Sequence, residues 1–180
     1  MILAIVFGHY LFKVEPRTFC WADNTSNYYV DAPSGKNPNV DAVDVAANFS
    51  FVLKLYFAGF IICAARELIE FITDLCYVFI VIPDSLLKGL YLGYGLQILA
   101  FFFASSYRMS HEGKVCSGDY LSGNDATDKS VLQYYLSDRG SFLWVWLVIS
   151  WIIICICMSL CCSLGVFLFI NKDRNLFFIR

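Results

Sequence analysis

The stretch 142–170 constrains the fold of this chain more than any other part, because it contains no charged residue. A helix needs roughly 20 mainly apolar residues to cross about 30 Å of hydrocarbon, and this stretch is longer than that. Trp144, Trp146 and Trp151 lie in its first turns, and tryptophan favours the membrane interface. The sequence therefore predicts a transmembrane helix over 142–170, ended by Asn171 and the charged residues at 172–174.

The composition of the chain agrees with a membrane location. Of its 180 residues, 59% are hydrophobic and only 16% are charged, and the mean hydropathy is +0.63. A soluble domain carries about 25% charged residues. This balance excludes a disordered chain, a nucleic-acid-binding module and an ordinary cytosolic enzyme. Membrane lipid is the expected partner, and no nucleic acid is expected.

Two further membrane helices are predicted, at about 46–82 and 86–107. The second half of 46–82 is amphipathic, since Glu67, Glu70 and Asp74 fall on one helical face. Arg66 and Glu70 have the spacing of a surface ion pair, and Lys54 is the isolated charge within the apolar half. We expect this charged segment to lie at the membrane surface, although a channel or transporter could use it as an ion path.

The N-terminal segment predicts a fourth, short helix over about 1–13. It is apolar up to Lys13 but too short to cross the hydrocarbon alone. It is either a truncated first span or a re-entrant anchor, and we expect the truncated span. The predicted fold is therefore an all-α membrane protein, a four-helix transmembrane bundle with two outer loops at 14–45 and 108–141.

Charge and sequons give the predicted orientation. The tail after 170 is net positive, whereas both loops are net negative, so the positive-inside rule places the C-terminus in the cytoplasm and both loops on the extracellular or lumenal side. Asn24 and Asn48 begin Asn-x-Ser sequons in or beside the first loop and are candidate glycosylation acceptors. We expect an integral protein of the plasma membrane or the endomembrane system.

The eight cysteines divide into two groups. Cys20 and Cys116 lie in polar loops, one in each, whereas the other six lie in apolar segments. An oxidising compartment would join the two loop cysteines in a disulfide. The group at 155–162 has neither the spacing nor the histidine partners of a metal or redox site, so packing is its favoured role, with acylation of Cys161 or Cys162 an alternative.

A narrow face, mostly of small residues, runs along the helix 86–107. It comprises Gly89, Gly93, Gln97, Ala100 and Ala104, and Gly-x-x-x-Gly is the spacing that lets two helix backbones approach closely. No nucleophile elbow, catalytic triad, phosphate-binding loop or metal-binding motif is present. We therefore expect no catalytic residues, no metal and no cofactor, and we predict that the chain is not an enzyme.

Four spans, short inner connections and one cysteine in each of two outer loops resemble the layout of the MARVEL-type tetraspan proteins. The chain lacks the Cys-Cys-Gly motif of tetraspanins and the loop pattern of claudins. The resemblance implies a non-enzymatic organiser of membranes, so we expect a scaffolding protein that self-associates or joins other membrane subunits. The alternatives are an accessory subunit of a larger membrane complex, and a channel or transporter.

Overall fold

The computed structural model describes residues 1–15, 19–29, 42–75, 88–122 and 129–177. The chain divides into two units, Met1–Leu143 and Trp144–Arg180. The helices and strands, in chain order, are α1 (Ile2–Phe12), β1 (Trp21–Ala22), β2 (Val43–Asp44), α2 (Val45–Leu75), α3 (Leu92–Met109), α4 (His111–Cys116), α5 (Lys129–Leu132) and α6 (Ser137–Phe177).

Among the described residues, three helical segments are long and apolar enough to cross a membrane: Val45–Thr73, Lys88–Met109 and Ser137–Leu164. They correspond to the three spans predicted from hydropathy, which is consistent with an integral membrane protein. The N-terminal helix α1 is short, as predicted, with 11 residues. The predicted continuation of the second helix from 76 to 82 lies outside the described residues.

The prediction that the polar and charged residues at 171–174 end the last helix is wrong. Helix α6 begins at Ser137 rather than 142 and continues to Phe177. Lysine and arginine are good helix formers, so a charged group marks where a helix leaves the hydrocarbon and does not break its backbone hydrogen bonds. The hydropathy boundary and the helix boundary are therefore different positions.

The two polar loops contain regular structure that was not predicted. Strands β1 and β2 form an antiparallel pair in which Trp21 lies opposite Asp44 and Ala22 opposite Val43. The second loop contains the short helices α4 and α5. The description "all-α" thus holds for the membrane helices but is wrong for the first loop, because its two ends are extended and satisfy each other's backbone groups.

Helices α2 and α3 cross at two glycines. A Cβ atom built on Gly93 would lie 3.0 Å from the carbonyl oxygen of Gly59, and one built on Gly59 would lie 2.9 Å from that of Gly93. Glycine is required at both positions because any side chain would push the two backbones apart. Ala100 and Ala104 continue the contact and are fully buried.

Aromatic rings hold α1 against the other helices of the first unit. The Phe7 ring is fully buried, with its centroid 4.8 Å from that of Tyr56 and 5.0 Å from that of Phe142. Tyr10 stacks on Phe142 at 3.9 Å. Such pairs add about 0.5–1.5 kcal/mol each beyond the area they bury, so packing rather than helical length stabilises this short helix.

Candidate functional site

The disulfide between Cys20 and Cys116 is present and joins the two polar loops. The two Cα atoms are 5.8 Å apart and both side chains are fully buried, which is within the usual range for a disulfide. Backbone hydrogen bonds also hold both cysteines in place, because Val45 N donates to Cys20 O at 3.1 Å and Leu136 N donates to Cys116 O at 2.7 Å. The bond therefore fixes the polar end of the first unit, which we call the cap (residues 13–29, 42–44, 108–122 and 131–141, where described).

Arg139 is one of the cap residues that no sequence pattern singled out. Its side chain is buried, and Nε donates to Val14 O at 2.8 Å and to Tyr10 O at 3.1 Å. Nη2 donates to Leu11 O at 3.1 Å, and Nη1 donates to Ser50 Oγ at 3.2 Å. The guanidinium thus caps the C-terminal end of α1, where the helix dipole favours a cation.

Glu15 completes the contact in the opposite direction. Its carboxylate accepts hydrogen bonds from Asp138 N at 3.0 Å and Arg139 N at 3.4 Å, in the first turn of α6. Burial raises the pKa of Glu15 above its usual 4.5, and the hydrogen bonds from these two backbone groups oppose that shift. Each helix end is thus capped by a side chain from the other segment.

A second buried arginine, Arg108, joins α3 to the rest of the cap. Nη1 and Nη2 form a two-pronged ion pair with the Asp119 carboxylate at 2.8 and 2.9 Å. Nε donates to Gly140 O at 2.9 Å. Gly140 has no room for a Cβ, which would collide with Ser117 Oγ. The close approach of α6 to the turn after α4 therefore requires glycine at 140.

His111 has both ring nitrogens engaged in the cap. Nε2 lies 3.0 Å from Ser26 O, and Nδ1 lies 3.2 Å from the Tyr120 hydroxyl. A carbonyl can only accept, so Nε2 donates and Nδ1 accepts the tyrosine proton. This arrangement ties the first loop to the second and gives His111 a structural role.

The two sequons lie in different surroundings. Asn24 is exposed in a turn that Asp23 holds by accepting from Thr25 N at 3.0 Å and Ser26 N at 2.7 Å. Asn48 is half-buried in the first turn of α2 and lines a cleft of about 200 Å³ beside Ser106 and Tyr107. The hydroxyl of its sequon, on Ser50, accepts from Arg139.

Within the described part of the charged segment, Arg66 and Glu70 form an ion pair. Arg66 Nη2 lies 2.6 Å from Glu70 Oε1, and its guanidinium carbon lies 4.2 Å from the Tyr91 ring centroid. Lys54 and Glu67 are exposed. Four apolar side chains between Glu67 and the end of α2 are also exposed, at helical spacing; these are Leu68, Phe71, Ile72 and Leu75. The backbone of Asp74 lies in α2.

The predicted packing face of α3 is used over most of its length. Gly93 contacts Gly59, Gln97 Nε2 donates to Cys63 Sγ at 3.2 Å, and Ala100 and Ala104 are buried. Gly89 takes no part in this contact, since an added Cβ would meet no described atom within 4 Å. Gly59, the partner of Gly93 on α2, was not predicted. A glycine in the middle of a predicted span is nevertheless the kind of signal that identifies a helix crossing.

The part of the chain that the structure describes contains no group of three or more His, Cys, Asp or Glu side chains that could hold a metal ion. Its free cysteines are Cys63, Cys155, Cys157, Cys161 and Cys162, of which the last four are exposed on α6. No protein-family model matches this chain, and no curated protein or solved structure matches it either.

Proposed function

We propose that this chain is a structural, non-enzymatic membrane protein with a four-helix transmembrane bundle, and that it self-associates within the membrane as part of a larger assembly. The observation that carries the proposal is the surface of α6. Every side chain from Trp151 to Leu164 is exposed, and the stretch is apolar around its whole circumference. Lipid or another protein must cover it.

The small side chains of α6 favour a protein partner over part of that surface. Cys155, Ser159 and Ser163 are four residues apart and so share one face of the helix. The Ser159 hydroxyl donates to Cys155 O at 2.9 Å, and that of Ser163 donates to Ser159 O at 2.8 Å. The hydroxyl donors are thus satisfied within the helix, and the face stays narrow enough for a second helix to approach.

The cap supports a scaffolding role rather than a catalytic one. Its two buried arginines, Arg108 and Arg139, and its Cys20–Cys116 disulfide all hold helix ends and loops together. The proposed layout of four membrane helices with one cysteine in each of two outer loops also resembles that of MARVEL-type tetraspans. An accessory subunit of a multi-subunit membrane complex would use the same surfaces and is a variant of this proposal.

The oligomeric state in lipid tests the proposal. Full-length protein, labelled with one fluorophore per chain, is extracted in native-lipid nanodiscs and its photobleaching steps are counted. We expect two or more steps for the native chain and a shift towards one step for Ser159→Leu, which fills the narrow face. Cys157→Leu makes a similar change on the opposite face of α6 and should leave the distribution unaltered. Single steps throughout for the native chain would refute self-association.

The same proposal places the cap on the extracellular or lumenal side and the C-terminus in the cytoplasm, with Asn24 as the glycosylated sequon. Asn24 is exposed in a turn, whereas Asn48 is half-buried in a helix. We expect a glycosidase-sensitive mass that Asn24→Gln removes and Asn48→Gln does not alter. Loss of the glycan only with Asn48→Gln would contradict this assignment.

A further inference from the structure

The cleft beside Asn48 lies where the cap meets the membrane helices of the first unit. Strand β2 and the first turn of α2 form one wall, and the last turn of α3 with the start of α4 forms the other. Both walls belong to Met1–Leu143. A pocket for a drug-sized ligand has about 300–1,000 Å³, so this cleft of about 200 Å³ suits a smaller group.

The polar side chains of the cleft are hydrogen-bond acceptors that are left unused. Within the described part of the chain, no side-chain hydrogen bond is made by Asn48, Ser106 or Glu112. Glu112 is half-buried, and it is the single charged residue among the described residues that line the cleft. Carboxylate, amide and hydroxyl oxygens all accept hydrogen bonds. The complementary ligand is therefore a small cation that carries N–H donors.

An apolar surface continues from the cleft along α2 and α3. Phe51 follows Asn48 by three residues and Phe103 precedes Ser106 by three, so each lies one helical turn from the cleft towards the middle of its span. The two rings meet edge to face at 5.5 Å, and Phe51 is exposed. Leu99, one turn further along α3, is also exposed. A ligand that places a polar group in the cleft can therefore lay apolar chains along these residues.

We infer that the cleft binds the headgroup of phosphatidylethanolamine, with the acyl chains of the lipid against Phe51 and Phe103. The cleft lies at the cap end of two apolar helices, which is the depth of the phospholipid headgroups when these helices cross a membrane. The inference rests on the membrane location proposed above. It depends neither on self-association nor on which side of the membrane the cap occupies.

The chemistry of the lining selects ethanolamine among common headgroups. A primary ammonium has three N–H donors, which match the oxygens of Glu112, Asn48 and Ser106. Choline carries the same charge but has no N–H, and it is bound by cages of several aromatic rings. Tyr107 is the single aromatic residue among the described lining residues. An anionic headgroup would meet the like charge of Glu112.

Native mass spectrometry of the full-length protein, titrated with lipids that share the same acyl chains, tests this inference. We expect phosphatidylethanolamine to bind more tightly than phosphatidylcholine, and phosphatidylglycerol to bind most weakly. Glu112→Gln keeps the side-chain shape without the charge and should weaken phosphatidylethanolamine binding by about fivefold, since a half-exposed charge pair contributes less than a buried one. Glu67→Gln removes an exposed carboxylate elsewhere on α2 and should change no affinity. Phe51→Ala should weaken all three lipids alike.

Three results would overturn the inference: equal affinity for phosphatidylcholine, an unchanged affinity in Glu112→Gln, or competition by soluble glycerophosphoethanolamine at the concentration of the lipid. The last would show that the cleft takes a free amine and not a membrane lipid. Quenching of tryptophan fluorescence by brominated acyl chains in vesicles separates this failure from a wrong membrane location. Quenching without selective binding would refute the cleft alone, whereas absence of quenching would refute the membrane location and the inference together.

Discussion

The contact between Arg139 and the end of α1 allows the sharpest test of how the cap is held. Arg139→Met keeps a side chain of similar length but removes every hydrogen bond of the guanidinium. The carbonyls of Leu11 and Val14, which receive its hydrogen bonds at 3.1 and 2.8 Å, then lose a charged donor. Because the chain is only 3% exposed at Arg139, water cannot fully replace that donor.

The size of the effect follows from the number and burial of these contacts. A hydrogen bond to a charged group contributes about 1.5–3 kcal/mol, and an unsatisfied buried carbonyl costs about 1–3 kcal/mol. The contributions overlap, since one guanidinium makes them all, and the carbonyl of Tyr10 already receives only the longer branch of a shared bond. We expect Arg139→Met to lower the free energy of unfolding by about 3 kcal/mol.

Unfolding in bicelles, titrated with denaturant, measures this loss, and hydrogen exchange of the amides of residues 2–12 locates it. Arg139→Lys retains the charge without the planar fork of donors, so about half of the stability should return. Lys114→Met is the control, because Lys114 is exposed on α4 and its loss should change the free energy by less than about 0.5 kcal/mol. A value for Arg139→Met as small as that of the control would refute the reasoning.

Three further perturbations have expected outcomes. Gly93→Ala should destabilise the protein by about 1–3 kcal/mol, because its Cβ would lie 2.8 Å from Cys63 Sγ, whereas Gly95→Ala, with open space at the Cβ, should stabilise it by up to about 1 kcal/mol; denaturant titration of both variants measures the contrast. Burial raises the pKa of Glu15, so the folded state binds this proton more tightly than the unfolded state, and stability should fall as the pH rises from about 4.5 through the raised pKa. Glu15→Gln should remove that slope, and an unchanged pH profile would contradict the assignment. The bond from Cys20 to Cys116 spans 96 residues, so its reduction should cost about 4–5 kcal/mol, and the midpoint of unfolding with and without reductant tests this.

The parts of the fold that could be predicted are those whose signal, such as hydropathy, accumulates over many neighbouring residues. The three long apolar helices follow from hydropathy alone, and the disulfide followed from the contrast between two loop cysteines and six apolar ones. The end of α6 could not be found in this way, because the charged residues after 170 stop the hydrophobic signal but leave the helical backbone intact.

The candidate sites show the same division. Arg66 and Glu70 could be interpreted from local spacing, and the ion pair between them is present. Of the two glycines at the crossing of α2 and α3, only Gly93 could be predicted as a contact residue. A small residue identifies a possible contact surface but not the helix or residue that packs on it.

The sequence by itself determined the class of helices, their approximate positions and which two cysteines pair, because hydrophobicity and residue type are properties of single positions. Only the tertiary structure decided that Arg139 caps α1, that Glu15 caps α6 and that Arg108 joins α3 to Gly140. The physical reason is that most of these partners are backbone carbonyls and N–H groups, which nearly every residue carries. No side-chain pattern marks them in advance, and only the approach of helix ends in space selects them.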